Sequence, residues 1–116
     1  MCELLWSDPE EIEEWEPNPR GAGIIFGSKL VNRFLSTNKI NFIVRAHQLI
    51  HEGYKKHFND KLYTVWSAPN YCYRCGNKEA IMKLDSNLKP DFSTFDASEK
   101  DYQPAPEKRS LPEYFL

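Results

Sequence analysis

Hydrophobic residues in this chain fall into short runs whose period changes along its length. Leu30, Val31, Phe34 and Leu35 recur at helical spacing, which predicts a helix over 28–38 with Ser28 capping its start and Asn38 ending it. Ile40–Ala46 is short and rich in β-branched residues, and reads as a buried strand. Lys61–Trp66 (KLYTVW) reads as a second strand, Glu79–Leu84 (EAIMKL) as a third, and Lys89–Asp96 as an edge strand. Residues 8–19 (DPEEIEEWEPNP) are acidic and hold three of the eight prolines, so they read as an acidic surface loop that no helix can cross. From Ala97 the periodicity is lost: Pro104, Pro106 and Pro112 interrupt a charged tail, expected to be disordered until bound, that ends on the apolar Tyr114-Phe-Leu116. One helix and three or four strands cannot cover both faces of a sheet, so these elements read as part of a domain.

Composition narrows the function classes. A chain of 116 residues can bury one modest core. Net charge is −2 with no basic stripe, which argues against nucleic acid as a partner. No apolar run approaches the ~18–20 residues that cross a bilayer, and Met1–Trp6 has neither the basic start nor the apolar stretch of a signal peptide. Three cysteines, two of them only three apart, argue against a secreted disulfide framework and for reducing, intracellular conditions.

Several residues have the chemistry of a site. The run Ser67–Asn77 (SAPNYCYRCGN) is aromatic and cationic where a loop usually carries turn residues, and it follows an apolar strand, the placement of a binding loop. Within it Cys72 and Cys75 form a CxxC. A structural zinc would need two further ligands, with only Cys2 and the histidines to supply them, and a redox CxxC would open a helix; two reduced loop thiols are the plain alternative. His47, just past the strand that begins near Ile40, suits a metal ligand or proton carrier, although a structural histidine bonded to backbone is the commoner case. His51 completes an HxxxH, but Glu52 follows the second histidine, so the general base of a zinc protease is missing. Arg20, in Pro19-Arg-Gly-Ala-Gly23, places a guanidinium beside flexible backbone, fit for a phosphoryl group or for an ordinary surface turn. Trp6 and Asp8 set an apolar plate beside a carboxylate; core packing and turn-capping are the alternatives.

LLWSDP, PRGAG, RAHQ with its trailing GY, SAPNYCYRCGN and a terminal YFL occur in that order. Together they resemble the C-terminal part of a phosphoprotein phosphatase catalytic subunit, most closely the protein phosphatase 2A-like branch that includes protein phosphatases 4 and 6. The resemblance covers nearly the whole chain and is thinnest over residues 10–18 and 86–110. It implies an α+β fold, the C-terminal portion of the calcineurin-like metallophosphoesterase β-sandwich flanked by helices. Residues 1–96 would belong to the catalytic domain and 97–116 to a flexible regulatory tail. It implies serine/threonine protein phosphatase activity, with two divalent ions, manganese or iron with zinc, activating a water. His47 would bind one metal and Arg20 the substrate phosphate. Tyr71 would sit over the site on a loop that meets substrates and inhibitory toxins, shared with Cys72, Tyr73, Arg74 and the exposed thiol of Cys75. Trp6 and Asp8 would border substrate grooves, Leu116 would carry a methylated terminal carboxylate, and Tyr114 would be a phosphorylation site. The implied partners are phosphoprotein substrates, regulatory or scaffold subunits and a carboxyl methyltransferase, in cytoplasm and nucleus, with no nucleic acid or membrane.

The departures from the pattern are as informative. The family's GDxHG, GDxVDRG and GNHE signatures, which supply most metal ligands and the His–Asp pair that serves the leaving group, are absent, and His47 is the one ligand left. Hydrolysis by this chain alone is therefore not expected. Met1-Cys2 resemble an internal stretch of the family, so the chain is expected to be part of a longer catalytic subunit. A second class of function is a non-catalytic fragment competing for regulatory subunits through Tyr114–Leu116; a third is a small zinc module on Cys72 and Cys75.

Overall fold

The computed structural model of the chain describes residues 1–99. Expectations for Tyr114 and Leu116, and most of the 97–116 tail, lie outside the described residues. The chain divides into two compact units. The first comprises Met1–His47 and Lys56–Tyr63, the second Gln48–Lys55 and the described residues from Thr64 onward.

The first unit opens with helix α1 (Cys2–Trp6), followed by strands β1 (Asp8–Pro9), β2 (Trp15–Pro17) and β3 (Ile24–Phe26). These form a sheet in the order β1-β3-β2, with Asp8 opposite Ile25 in parallel pairing and Glu16 opposite Ile25 in antiparallel pairing. The predicted acidic loop over 8–19 is thus corrected, since both of its ends are drawn into strands by the apolar Ile24–Phe26. Pro9 and Pro17 are tolerated because both flanking strands are edges, where a missing N–H leaves no inner ladder bond unmade.

Helix α2 (Ser28–Asn38) spans the residues that the periodicity predicts. Its start differs: Gly27, not Ser28, is the N-cap, and no side chain caps it. The N-terminal amides donate instead to carbonyls of the acidic segment: Gly27 to Glu14 (2.7 Å), Ser28 to Ile12 (3.1 Å) and Lys29 to Glu13 (3.0 Å). Gly27 has to be glycine, because a Cβ there would lie 1.8 Å from the Ile12 carbonyl oxygen. The helix ends at Lys39 in the left-handed conformation, and Asn38 Nδ2 donates to the Phe34 carbonyl at 2.8 Å. The buried stripe is narrower than the four apolar positions suggest. Val31 and Leu35 pack with Leu62 as the core, joined by Phe26, Ile43 and Phe58, while Phe34 on the flank is 47% exposed.

Strand β4 (Ile43–Arg45) is shorter than the predicted Ile40–Ala46 and is not a buried strand. Alternation puts Ile43 and Arg45 on one face and leaves Val44 47% exposed on the other. Strand β5 (Tyr54–His57) was not legible, because Lys55 and Lys56 hide its pattern; β6 (Leu62–Val65) lies within the predicted Lys61–Trp66. The three run in the order β4-β6-β5.

In the second unit β7 (Glu79–Leu84) pairs antiparallel with β8 (Pro90–Phe95), from Glu79 opposite Phe95 to Leu84 opposite Pro90, as the sequence predicts for both. Tyr54 stacks on Phe92 with ring centroids 4.1 Å apart. No helix forms over residues 47–51, so His47 and His51 do not share a helical face.

Candidate functional site

Arg20, His47, Asp8 and Trp6 come together in the first unit, built by the β1 entry, the turn into β3 and the end of β4. Gly23 makes the approach possible: at φ 71° it brings the PRGAG turn so close to α1 that a Cβ would lie 2.7 Å from the Ser7 nitrogen. The Ser7 hydroxyl then accepts the Ile24 N–H at 3.0 Å.

Asp8 is the centre of the cluster and is only 4% exposed. Its Oδ1 accepts from Arg45 Nη2 at 2.8 Å, and Arg45 also donates to the Ser7 carbonyl at 2.8 Å. Its Oδ2 accepts from Asn18 Nδ2 at 2.9 Å and pairs with Arg20 Nε at 3.5 Å. Asn18 closes the circuit, because its Oδ1 accepts the backbone N–H of Arg20 at 2.9 Å. Burial pushes the Arg45 guanidinium down from its usual range, against the pull of its bond to Asp8.

Arg20 Nη1 meets His47 Nε2 at 3.2 Å. A guanidinium only donates, so Nε2 accepts and the neutral ring carries its proton on Nδ1. Burial lowers the His47 pKa below the usual imidazole value; Asp8 opposes this shift while Arg20 and Arg45 reinforce it. The residue sits at φ 80°, in the left-handed region that histidine enters more readily than most non-glycine residues. Trp6 packs edge-on against the ring at 5.2 Å. Two guanidinium groups face one carboxylate, leaving an excess positive charge, and Arg20 Nη2 makes no hydrogen bond among the described residues. Such a group suits an oxyanion.

These residues do not fit a pair of divalent ions by themselves. No group of three or more His, Cys, Asp or Glu side chains could hold a metal among the described residues. In the cluster the groups of ligand type are His47 and Asp8, with Asp8 taken up by two guanidinium groups, and among the described residues Cys72 and Cys75 have no third donor to make a zinc site.

The Ser67–Asn77 loop, in the second unit, is closed at its base by two asparagines. Asn70 donates its backbone N–H to the Asn77 carbonyl (2.9 Å), Tyr71 N–H donates to Asn77 Oδ1 (2.7 Å), and Gly76 N–H donates to Asn70 Oδ1 (3.0 Å). Asn77 Nδ2 also donates to the Ala68 carbonyl at 2.8 Å. The clamp holds Cys72 and Tyr73 at positive φ (58° and 61°), which presents Tyr73 and Arg74 to solvent. Tyr71 packs edge-on to Trp66, and burial raises the pKa of its phenol and of the Cys72 thiol. All three cysteines are free, and Cys75, expected to be exposed, is half-buried.

Sequence reasoning missed Asn18 and Arg45. The available signal was the arginine inside the apolar run Phe42–Ala46, where a charge calls for a buried partner.

No protein-family model matches the chain. Over 117 aligned residues it is 54% identical to the serine/threonine-protein phosphatase ppe1 of Schizosaccharomyces pombe, covering 100% of this chain and 38% of that protein. A solved serine/threonine phosphatase from Saccharomyces cerevisiae, described as similar to human phosphatase PP5, superposes with a TM-score of 0.75 at 34% identity, over 83% of this chain and 33% of that one. The class is therefore an α+β segment with a serine/threonine phosphatase fold, and the relatives support the phosphoprotein phosphatase family. The chain spans little more than a third of the relative ppe1.

Proposed function

We propose that this chain supplies the phosphate-recognition side of a serine/threonine protein phosphatase of the 2A-like branch. The observation that carries this reading is Arg20, held by Asp8 and His47 with one guanidinium edge left for a ligand. Within the reading, Arg20 receives the phosphoryl oxygens of a phosphoserine or phosphothreonine and answers the charge that develops on them. His47 stays neutral, and its Nε2, which accepts from Arg20 Nη1, would have to exchange that bond to serve as ligand to one of the two divalent ions, manganese or iron with zinc, that the family's complete site would supply. Tyr71, Tyr73, Arg74 and the two loop thiols form a surface for substrate or inhibitor. The branch assignment rests on SAPNYCYRCGN and the terminal YFL, which would bring regulatory subunits and a carboxyl methyltransferase to Leu116.

Because one imidazole cannot hold a metal pair, the 116-residue chain alone has the recognition without the hydrolysis. The test is fluorescence polarisation with a phosphoserine peptide and its unphosphorylated twin. The reading predicts saturable binding of the phosphorylated peptide only, displaced by inorganic phosphate and lost in Arg20→Ala. Equal binding of both peptides would overturn it.

A further inference from the structure

Arg20 is a long, flexible side chain on a turn, and nothing in its own backbone fixes where its guanidinium points. His47 meets its Nη1, and what else fixes it lies one layer down. Asn18, 7% exposed and set between two prolines, uses both ends of its amide at once: Oδ1 takes the Arg20 backbone N–H and Nδ2 grips Asp8 Oδ2. The same carboxylate oxygen carries Arg20 Nε at 3.5 Å, so the backbone and the side chain of Arg20 are referenced to one atom. Asp8 in turn cannot rotate, because Arg45 holds Oδ1 from the β4 side while donating to the Ser7 carbonyl of the same segment. No buried side-chain nitrogen or oxygen among the described residues lacks a partner, so the circuit is closed.

We propose that Asn18 and Arg45 are positioning residues that act through Asp8 to aim the Arg20 guanidinium at a bound phosphoryl group. The inference rests on the phosphate-recognition reading and deepens it, since neither residue reaches the ligand itself. Arg45 makes both bonds, to Asp8 Oδ1 and to the Ser7 carbonyl, through Nη2 of its rigid planar guanidinium, and a lysine would keep the charge while its rotating ammonium would not hold that direction. Asn18→Ala removes no charge at all, so it separates aiming from the electrostatic field of the cluster.

The experiment is a double-mutant cycle on the full 116-residue chain, titrated with inorganic phosphate and followed by calorimetry. In the natural background Asn18→Ala and Arg45→Lys should each weaken phosphate by about tenfold, the scale of one well-aimed charge-assisted hydrogen bond. In an Arg20→Lys background, where no fork remains to be aimed, each should change affinity by less than about twofold. Equal weakening in both backgrounds, or none in either, would overturn the positioning role. If the unsubstituted chain shows no saturable phosphate binding, the recognition reading fails, and this inference with it; if it binds and Arg20→Ala does not, while both positioning variants bind normally, only the inference fails. Should Arg45→Lys lose its cooperative thermal transition, Asn18→Ala decides the matter by the same comparison.

Discussion

A guanidinium inside a strand has to be answered by a carboxylate, and the pairing of Arg45 with the 4%-exposed Asp8 is the residue-scale fact on which the site depends. Removing one partner of a buried pair leaves the other charge uncompensated. Asp8→Asn should therefore destabilise the first unit by about 3–5 kcal/mol, measured as a lowered denaturant midpoint at unchanged slope. His47 provides a pH test. Its folded pKa lies below the unfolded value of about 6.5, so stability from the neutral ring is complete above that value and is lost as pH falls below it toward the folded pKa. Ring-proton NMR should show His47 titrating below the ordinary imidazole value of about 6.5, and a midpoint at or above that value would contradict the arrangement. In the loop, the raised pKa of Cys72 predicts slower alkylation at pH 8 than a small model thiol shows, because less thiolate is present; an equal or faster rate would argue against its burial.

At the scale of elements, the fold rests on few contacts. Val31, Leu35 and Leu62 carry the core of the first unit, and Leu62 is completely buried. Leu62→Ala should lower stability by about 2–5 kcal/mol, read by urea unfolding, whereas Phe34→Ala on the exposed flank of α2 should be nearly silent. Helix α2, β6, β7 and β8 were legible in the sequence, the helix from the 3.6-residue spacing of its apolar positions and the strands from short runs rich in apolar, aromatic or β-branched residues. Strands β1 and β2 were not, since proline and glutamate mask them and they form only because Ile24–Phe26 offers two edges. The Ser28 cap was expected from local chemistry, but carbonyls of Ile12, Glu13 and Glu14 meet the helix amides, a tertiary contact that no local pattern encodes. The site divides the same way: Arg20 and His47 were visible as residue types, while Asn18 and Arg45 acquire meaning only when 8, 18, 20 and 45 meet in space.

At the scale of the whole molecule, the proposed function separates recognition from chemistry. With manganese added, the purified chain should not hydrolyse 4-nitrophenyl phosphate above the no-protein rate; metal-dependent turnover would show that the ligand set described here is not the relevant one. Exposed Leu4 and Leu5 on α1, and Ile81, Leu84 and Phe95 on the β7–β8 hairpin, form apolar surface on each unit. Sedimentation velocity should accordingly show self-association as concentration rises, and a monomer throughout would contradict that. The central claim concerns one group, so the most direct measurement observes it: the Arg20 Nε–H resonance in a nitrogen–proton NMR correlation, recorded as inorganic phosphate is added at constant ionic strength. The expected result is a saturable shift at Arg20, echoed in the His47 ring, with Arg33 and Arg74 unmoved. A flat Arg20 signal, or equal non-saturating drift at all three arginines, would contradict it.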